Sequence, residues 1–242
     1  MTAAVTTAMV LAAGRGTRMR HLSQSRPKPL TMLAGRTLID RVLDHLEVAA
    51  VTRIVVNTHY MGDMIAEHLS GRANIILSPE EDLLETGGGV RNALPHLGSD
   101  PFFVINSDAV WGDGPLPALQ RLRDNWDSGK MDVLLLLKPM VDLPDAPGRG
   151  DFFLDPLGKV RRRKSHEVAP FLFAGVQILH PCLFEGAPDG AFSLNLLYDK
   201  AIAAGRLYGV VHDGAWHHVG TPEQLKQAQR IILHGDAPVN SR

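Results

Sequence analysis

A single cysteine, Cys182, stands among 242 residues, so no internal disulfide can staple the fold, and with no CxxC pair or Cys/His cluster a structural zinc site lacks ligands. A chain of this kind suits a reducing cytoplasm. Long apolar runs are missing as well: nowhere do the roughly eighteen apolar residues of a membrane helix follow one another. The first apolar stretch, Ala8 to Ala13, has no basic region before it and ends in Gly14-Arg15-Gly16, which reads as neither a signal peptide nor a membrane span. An excess of one charge is also absent. The 25 Lys and Arg against 26 Asp and Glu leave a formal net charge of -1, without the basic field that drives nucleic-acid binding. No repeat of fixed period points to a solenoid. The expected partners are small molecules rather than nucleic acid or membrane, and the assembly a monomer or homodimer.

Apolar residues make up 45% and charged residues 21% of the chain, enough to bury one sizeable core. Short apolar runs bounded by Gly, Pro, Asp or Asn read as strands at Ala8 to Ala13, Arg53 to Asn57, Asn74 to Leu77, Phe102 to Asn106 and Met131 to Leu137. Helical patterns lie between them at Leu38 to Ala49, Gly62 to Leu69 and Gly87 to Leu94. Strands that stay apolar on both sides and alternate with helices predict an α/β fold with a mostly parallel sheet covered on both faces. Ligands of such sheets settle beyond the carboxyl ends of the strands, so the loops that begin at Gly14, Pro79 and Ser107 should meet in one cleft. Past Pro139 the pattern loosens to a hairpin carrying the basic run Arg161 to Lys164. A strand at Phe171 to Leu179, a helix at Leu194 to Ala204, a strand at Leu207 to Val211 and a helix from Pro222, capped by Thr221, follow. One domain over 1-235 is expected, with a tail at 236–242.

Four motifs carry chemistry. The segment Leu11-Ala12-Ala13-Gly14-Arg15-Gly16-Thr17-Arg18-Met19 leaves a strand through a Gly-x-Gly turn, where missing side chains let backbone N–H groups approach phosphates. Alone it could equally be a tight turn. Arg26-Pro27-Lys28-Pro29-Leu30 brackets a lysine between two prolines that restrict where its ammonium can go. Leu84-Glu85-Thr86-Gly87-Gly88-Gly89 is a loop carboxylate followed by a glycine run, and Asn106-Ser107-Asp108 closes a strand. Asp108 there is either an oxygen ligand for a hard cation or the cap of a turn.

These segments, with Trp216-His217-His218-Val219-Gly220-Thr221-Pro222, resemble in content and order the sugar-1-phosphate nucleotidyltransferases, whose signature is L-A-A-G-x-G-x-R-M followed by P-K-P. The resemblance spans nearly the whole chain and implies a nucleotide-binding half over about 1-110 and an acceptor-sugar half over about 111-235. It implies a Rossmann-like nucleotidyltransferase fold of the GT-A type in which an NTP and a sugar 1-phosphate give a nucleotide sugar and pyrophosphate. It also implies that Leu11, Ala13, Gly14, Gly16, Thr17 and Arg18 line the nucleotide site. Arg18 and the Gly14 to Thr17 backbone would hold the β- and γ-phosphates, and Lys28 the α-phosphate. Glu80, Glu85, Thr86 and Gly87 would face the base, the carboxylate accepting the N3–H of a uracil and the glycines letting the ring lie against the backbone. Lys28, Arg18 and Asp108 become the expected catalytic residues, and Asp108 the leading ligand of Mg²⁺.

One departure concerns the metal. Where the family pattern W-x-D-x-G has aspartate, this chain has His218. Neutral imidazole suits Mn²⁺ or another borderline ion better than Mg²⁺. His218 is thus a metal ligand, a hydrogen-bond partner of phosphate or water, or the mark of a weakly active nucleotide-binding regulator. By the same resemblance Asn106, Gly150, Asp151, Gly175 and Asn195 line the acceptor site. The L-E-T-G-G-G segment and Gly148-Arg149-Gly150-Asp151-Phe152 are similar to the branch that couples UTP with N-acetylmuramic acid 1-phosphate; mannose guanylyl and glucose thymidylyl or uridylyl transfer are the alternatives. Arg161 to Lys164 is either a solvated hairpin face or a patch for an anionic sugar bearing a lactyl carboxylate.

Overall fold

The structure, a computed structural model, describes residues 5–143 and 148–234; the tail expected at 236–242 lies outside them. In chain order the elements are β1 (Thr7–Leu11), β2 (Met32–Leu33), β3 (Arg36–Thr37), α1 (Leu38–Val48), β4 (Arg53–Thr58), α2 (Gly62–Leu69), β5 (Ile75–Pro79), α3 (Glu85–Leu97), β6 (Phe102–Asn106) and β7 (Val110–Trp111). There follow α4 (Ala118–Asn125), β8 (Val133–Pro139), β9 (Phe152–Leu154), β10 (Val160–Arg162), β11 (Phe171–Leu179), α5 (Leu194–Ala203), β12 (Leu207–Val211), β13 (Trp216–His217) and α6 (Pro222–His234).

A nine-stranded sheet runs through both halves of the chain. Strands β5, β4, β1 and β6 are parallel neighbours in that order. Strand β11 then runs antiparallel to β6 and to β8, and β12 returns parallel to β8. The alternating burial along each strand builds two cores. Ala8, Val10, Ile54, Val56, Phe103 and Ile105 face the side covered by α1, α2 and α4. Met9, Val55, Phe102 and Val104 face the side covered by α3 and α5. With both faces buried the strands have no solvent side to keep polar, which is why they read as unbroken apolar runs. Helix α1 starts at Thr37, whose Oγ1 accepts the Asp40 N–H at 3.1 Å, a side-chain cap for an otherwise orphaned donor. Helix α6 packs Leu225 and Ala228 on Met19, Leu33, Leu38 and Val110, closing the molecule over the segment that follows β1.

The register sets where the strands end. Leu11 is paired with Asn57 on one side and Asn106 on the other, and Asn57 with Ser78. Four strands therefore end level, and their loops leave from one edge. Among the described residues no helix is long and apolar enough to cross a membrane.

His212, 1% exposed just after β12, gives the fold a pH dependence. Its Nε2 lies 3.0 Å from the Ala215 carbonyl oxygen and so carries the proton, while Nδ1 meets no partner. Burial, aided by Lys138, holds its pKa below the ordinary value. The folded chain then binds this proton more weakly than the unfolded chain does. Stability from neutral His212 is complete above an unfolded pKa of about 6.5 and is lost as the pH falls below it. Melting temperature followed from pH 8 to pH 5 should fall more steeply for the wild type than for His212→Gln, and equal slopes would contradict this assignment.

Candidate functional site

The level strand ends open into a cleft of about 480 Å³ lined by Leu11 to Gly14, Gly16 to Arg18, Lys28, Pro29, Asn57, Leu83, Glu85, Thr86, Asn106 to Asp108, Ser193 and Gly220. The three loops expected to converge do so. Nearly every residue expected to bind nucleotide, Leu11, Ala13, Gly14, Gly16, Thr17, Arg18, Lys28, Glu85 and Thr86, lies in this one lining.

At its centre the Lys28 ammonium and the Asp108 carboxylate form an ion pair across eighty positions of sequence. Each is held from its own side. Residues 28–30 make a 3-10 turn in which the Thr31 N–H donates to the Lys28 carbonyl at 2.9 Å, with Pro27 and Pro29 restricting the backbone around it. Gly16 has φ +61°, and a Cβ there would come within 2.9 Å of the Lys28 Cβ. The glycine is thus needed twice, for its left-handed backbone and for the close approach of the lysine stem. Asp108 follows β6 through a turn closed by Ala109 N–H to the Asn106 carbonyl at 2.9 Å. The lysine side chain is 11% exposed and the aspartate 35%, so the acid faces the cleft more openly than the base.

Behind the lining runs a chain of hydrogen bonds that includes a residue the sequence reading passed over. Asn57 Oδ1 accepts the Ala12 N–H at 2.8 Å, its Nδ2 donates to Glu80 Oε1 at 2.6 Å, and Glu80 Oε2 accepts the Leu84 N–H at 3.0 Å. Both Glu80 oxygens are engaged inside the protein, and the residue is 7% exposed. Glu80, expected at the base, lies behind the cleft lining. Its carboxylate ties the end of β4 to the loop entering α3. An asparagine closing a strand level with the glycine turn was the signal available for Asn57.

Gly87, also expected at the base, lies behind that lining as well. Gly87, Gly88 and Gly89 are buried in the first turns of α3. Side chains there would strike the Phe192 ring, the Gly190 carbonyl, and Glu80 with Asn57, respectively. The space is filled by protein, and the N–H groups of Gly87 and Gly88 donate to the Phe192 carbonyl at 2.8 and 3.1 Å. Thr86 Oγ1 accepts the Leu194 N–H at 3.0 Å, fastening the start of α5 beside the cleft. Glu85 remains exposed at the cleft wall with φ +58°, a conformation that costs a non-glycine residue about 1 kcal/mol.

The segment after β13 brings His218 to the same place. Trp216 pairs with Trp111 and donates from Nε1 to the Ala174 carbonyl at 3.0 Å. The His218 ring lies against the Trp216 ring, centroids 5.8 Å apart. A Cβ on Gly220 would come within 2.8 Å of His218 Nε2, so the imidazole stands directly behind the cleft wall that Gly220 forms. Burial, reinforced by Arg18 and Lys28, depresses its pKa, and the ring is neutral near pH 7 with a lone pair available. Among the described residues no group of three or more His, Cys, Asp or Glu could hold a metal unaided.

The residues expected at the acceptor do not share one cavity. Asn106 lines the cleft and Gly175 packs against it. Asp151 and Asn195 line a neighbouring cavity of about 580 Å³, beside which the Gly150 carbonyl accepts from Arg163 Nε at 2.7 Å. Between Phe173, which lines that second cavity, and Gln177 the pairing of β11 with β8 shifts register, and Gly175 lies within this irregularity.

The fold and the cleft are those of a nucleotidyltransferase, and residues 8–147 match the MobA-like NTP transferase domain; the chain belongs to that family. It is 42% identical over 229 residues, 92% of this chain and 95% of the other, to the N-acetylmuramate alpha-1-phosphate uridylyltransferase of Caulobacter vibrioides. To the enzyme of the same description from Neisseria meningitidis serogroup B it is 37% identical, covering 93% and 97%. Among solved structures, HddC from Yersinia pseudotuberculosis superposes with a TM-score of 0.75 at 24% identity, over 94% of this chain and 100% of that one.

Glu80→Ala should cost about 1–3 kcal/mol in urea unfolding, because the Asn57 amide and the Leu84 N–H lose their partner, while the preference for one nucleoside triphosphate over another is kept. A variant as stable as the wild type that no longer discriminates between bases would instead assign Glu80 to base recognition.

Proposed function

We propose that the chain transfers the uridylyl group of UTP to N-acetylmuramic acid 1-phosphate. The acceptor phosphate oxygen bonds to the α-phosphorus as its bond to the bridging oxygen breaks, and pyrophosphate leaves with that electron pair. The observation that carries the reading is the convergence of Arg18, Lys28 and Asp108 on the cleft beside the Gly14 to Thr17 turn. Near-full-length likeness to two uridylyltransferases supports the substrates. The mannose-1-phosphate guanyltransferase of Aspergillus fumigatus fits less well, at 30% identity with 66% of its length covered.

The reaction brings two anions together, so the protein's task is positioning and charge neutralisation, with no protein nucleophile. Cys182 supports this: burial, with Asp132 alongside, pushes its thiol up to about 11, and it does not line the cleft. Arg18 and the turn amides hold the β- and γ-phosphates. Lys28 leaves Asp108 for the α-phosphate and stabilises the charge that develops there. Glu85 and Thr86 border the base.

Transferases of this family generally use a divalent metal. The donors present fit an ion that arrives with the nucleotide, since a hard cation takes one or two carboxylates and completes its shell with phosphates and water. Asp108 would hold it and neutral His218 would stand next to it, and the ion would offset phosphate charge. His218 in place of a carboxylate favours Mn²⁺ over Mg²⁺ relative to a two-carboxylate site.

Pyrophosphate release from UTP and N-acetylmuramic acid 1-phosphate tests the reading. Lys28→Met and Asp108→Asn should each lower kcat by about 10²–10³, the usual cost of losing one preorganised charge partner, and His218→Asp should move the metal preference toward Mg²⁺. Turnover that survives both substitutions, or that appears only with another NTP and sugar, would replace this assignment. Nucleotide binding without pyrophosphate release from any acceptor would make the chain a regulator.

A further inference from the structure

The three arginines of the basic run meet different fates. Arg161 pairs with Glu167 at 2.7 Å and lies over the Phe153 ring at 4.0 Å. Arg162 pairs with Asp199 at 2.6 Å. Arg163 donates instead from Nε to the Gly150 carbonyl at 2.7 Å and from Nη1 to the Lys164 carbonyl at 3.3 Å, and among the described ion pairs none includes it. Two neutral oxygens thus aim a guanidinium without cancelling its charge. The group borders the 580 Å³ cavity beside Asp151, Ser165 and Asn195.

That cavity adjoins the cleft through two elements. On β11, Phe173 faces the cavity while Gly175 packs on Asn106; at the start of α5, Ser193 lines the cleft and Asn195 the cavity. An acceptor that spans the two would place its phosphate near Lys28 and its ring toward Arg163. Elsewhere the cavity wall is aromatic, with Phe173 edge-on to Tyr198 at 6.3 Å. The Tyr198 hydroxyl is already given to Gln177 at 2.8 Å. Asp151 accepts the Phe173 N–H through Oδ2 at 3.0 Å, which leaves its other oxygen for a sugar hydroxyl.

We propose that Arg163 is the specificity-determining residue for the acceptor, receiving the lactyl carboxylate that distinguishes N-acetylmuramic acid from N-acetylglucosamine. The proposal rests on the acceptor argued above. A planar fork held at Nε presents its remaining N–H donors to a carboxylate in the geometry that makes Arg, and not Lys, its preferred partner.

The test is kcat/KM with UTP for N-acetylmuramic acid 1-phosphate and for N-acetylglucosamine 1-phosphate. In Arg163→Gln the ratio of the two should fall by about 10- to 100-fold, the worth of a hydrogen bond to a charged group, and mainly through KM of the acid-bearing acceptor. Arg163→Lys should fall between. Arg161→Gln, whose guanidinium is neutralised outside the cavity, should leave the ratio unchanged. Loss of both activities in proportion in Arg163→Gln would make the residue a support for Gly150 and overturn the proposal, as would an unchanged ratio. A wild type with no activity on the acid-bearing acceptor would overturn the acceptor reading itself, whereas turnover of it with an unchanged ratio in Arg163→Gln would overturn only the role of Arg163.

Discussion

The ion pair between Lys28 and Asp108 is the interaction on which the site depends. Without the other, each would be an uncompensated charge at the cleft wall: a lysine 11% exposed that lines the cleft with Arg18, and an aspartate at a strand end. Paired, they keep the cleft charge-balanced and hold both groups in the proposed nucleotide site. Gly16 is glycine because the lysine stem passes against it, and Pro27 and Pro29 stiffen the turn that presents it. The Trp216 bond to Ala174 sets His218 within electrostatic reach of the same pair.

A second layer supports this centre. Parallel pairing makes Leu11, Asn57, Asn106 and Ser78 level, and Asn57 converts that level edge into a connection from the glycine turn through Glu80 to the loop at Leu84. Buried amide and carboxylate groups that satisfy one another specify a single arrangement, because each would be costly alone. The glycines of α3 do the complementary work, letting the segment at Gly190 and Phe192 close on the helix so that Ser193 and Thr86 form the far wall. The proposed nucleotide site is thus a consequence of packing as much as of motif.

Most of the sheet was legible in the sequence because buried parallel strands announce themselves as apolar runs with sharp ends. Lys28 was legible because its prolines act locally, and Asp108 because a strand ends there. What stayed hidden was long-range pairing. Nothing local distinguishes the Glu80 carboxylate, buried against Asn57, from Glu85, which is exposed at the cleft; only the fold assigns them. The same holds for the split of Asn106 and Gly175 from Asp151 and Asn195, which the order of distant elements around the two cavities decides. Helix α4 went unread because its eight residues carry only Ala118, Leu119 and Leu122 as an apolar stripe, and the segment after Gly16 formed a 3-10 helix over Thr17–Ser23, too short a pattern to mark itself.

If Lys28 and Asp108 exchange each other for α-phosphate and metal, nucleotide and metal must bind synergistically, and the synergy must reside in Asp108. Titration calorimetry of UTP into the wild type and into Asp108→Asn, each with and without Mn²⁺, measures this directly. The wild type should bind UTP more tightly with the metal than without it. The variant should lose that enhancement while binding metal-free UTP more tightly than the wild type does, its lysine being already free. Metal enhancement undiminished in Asp108→Asn, with metal-free affinity unchanged, would contradict the role assigned to the pair.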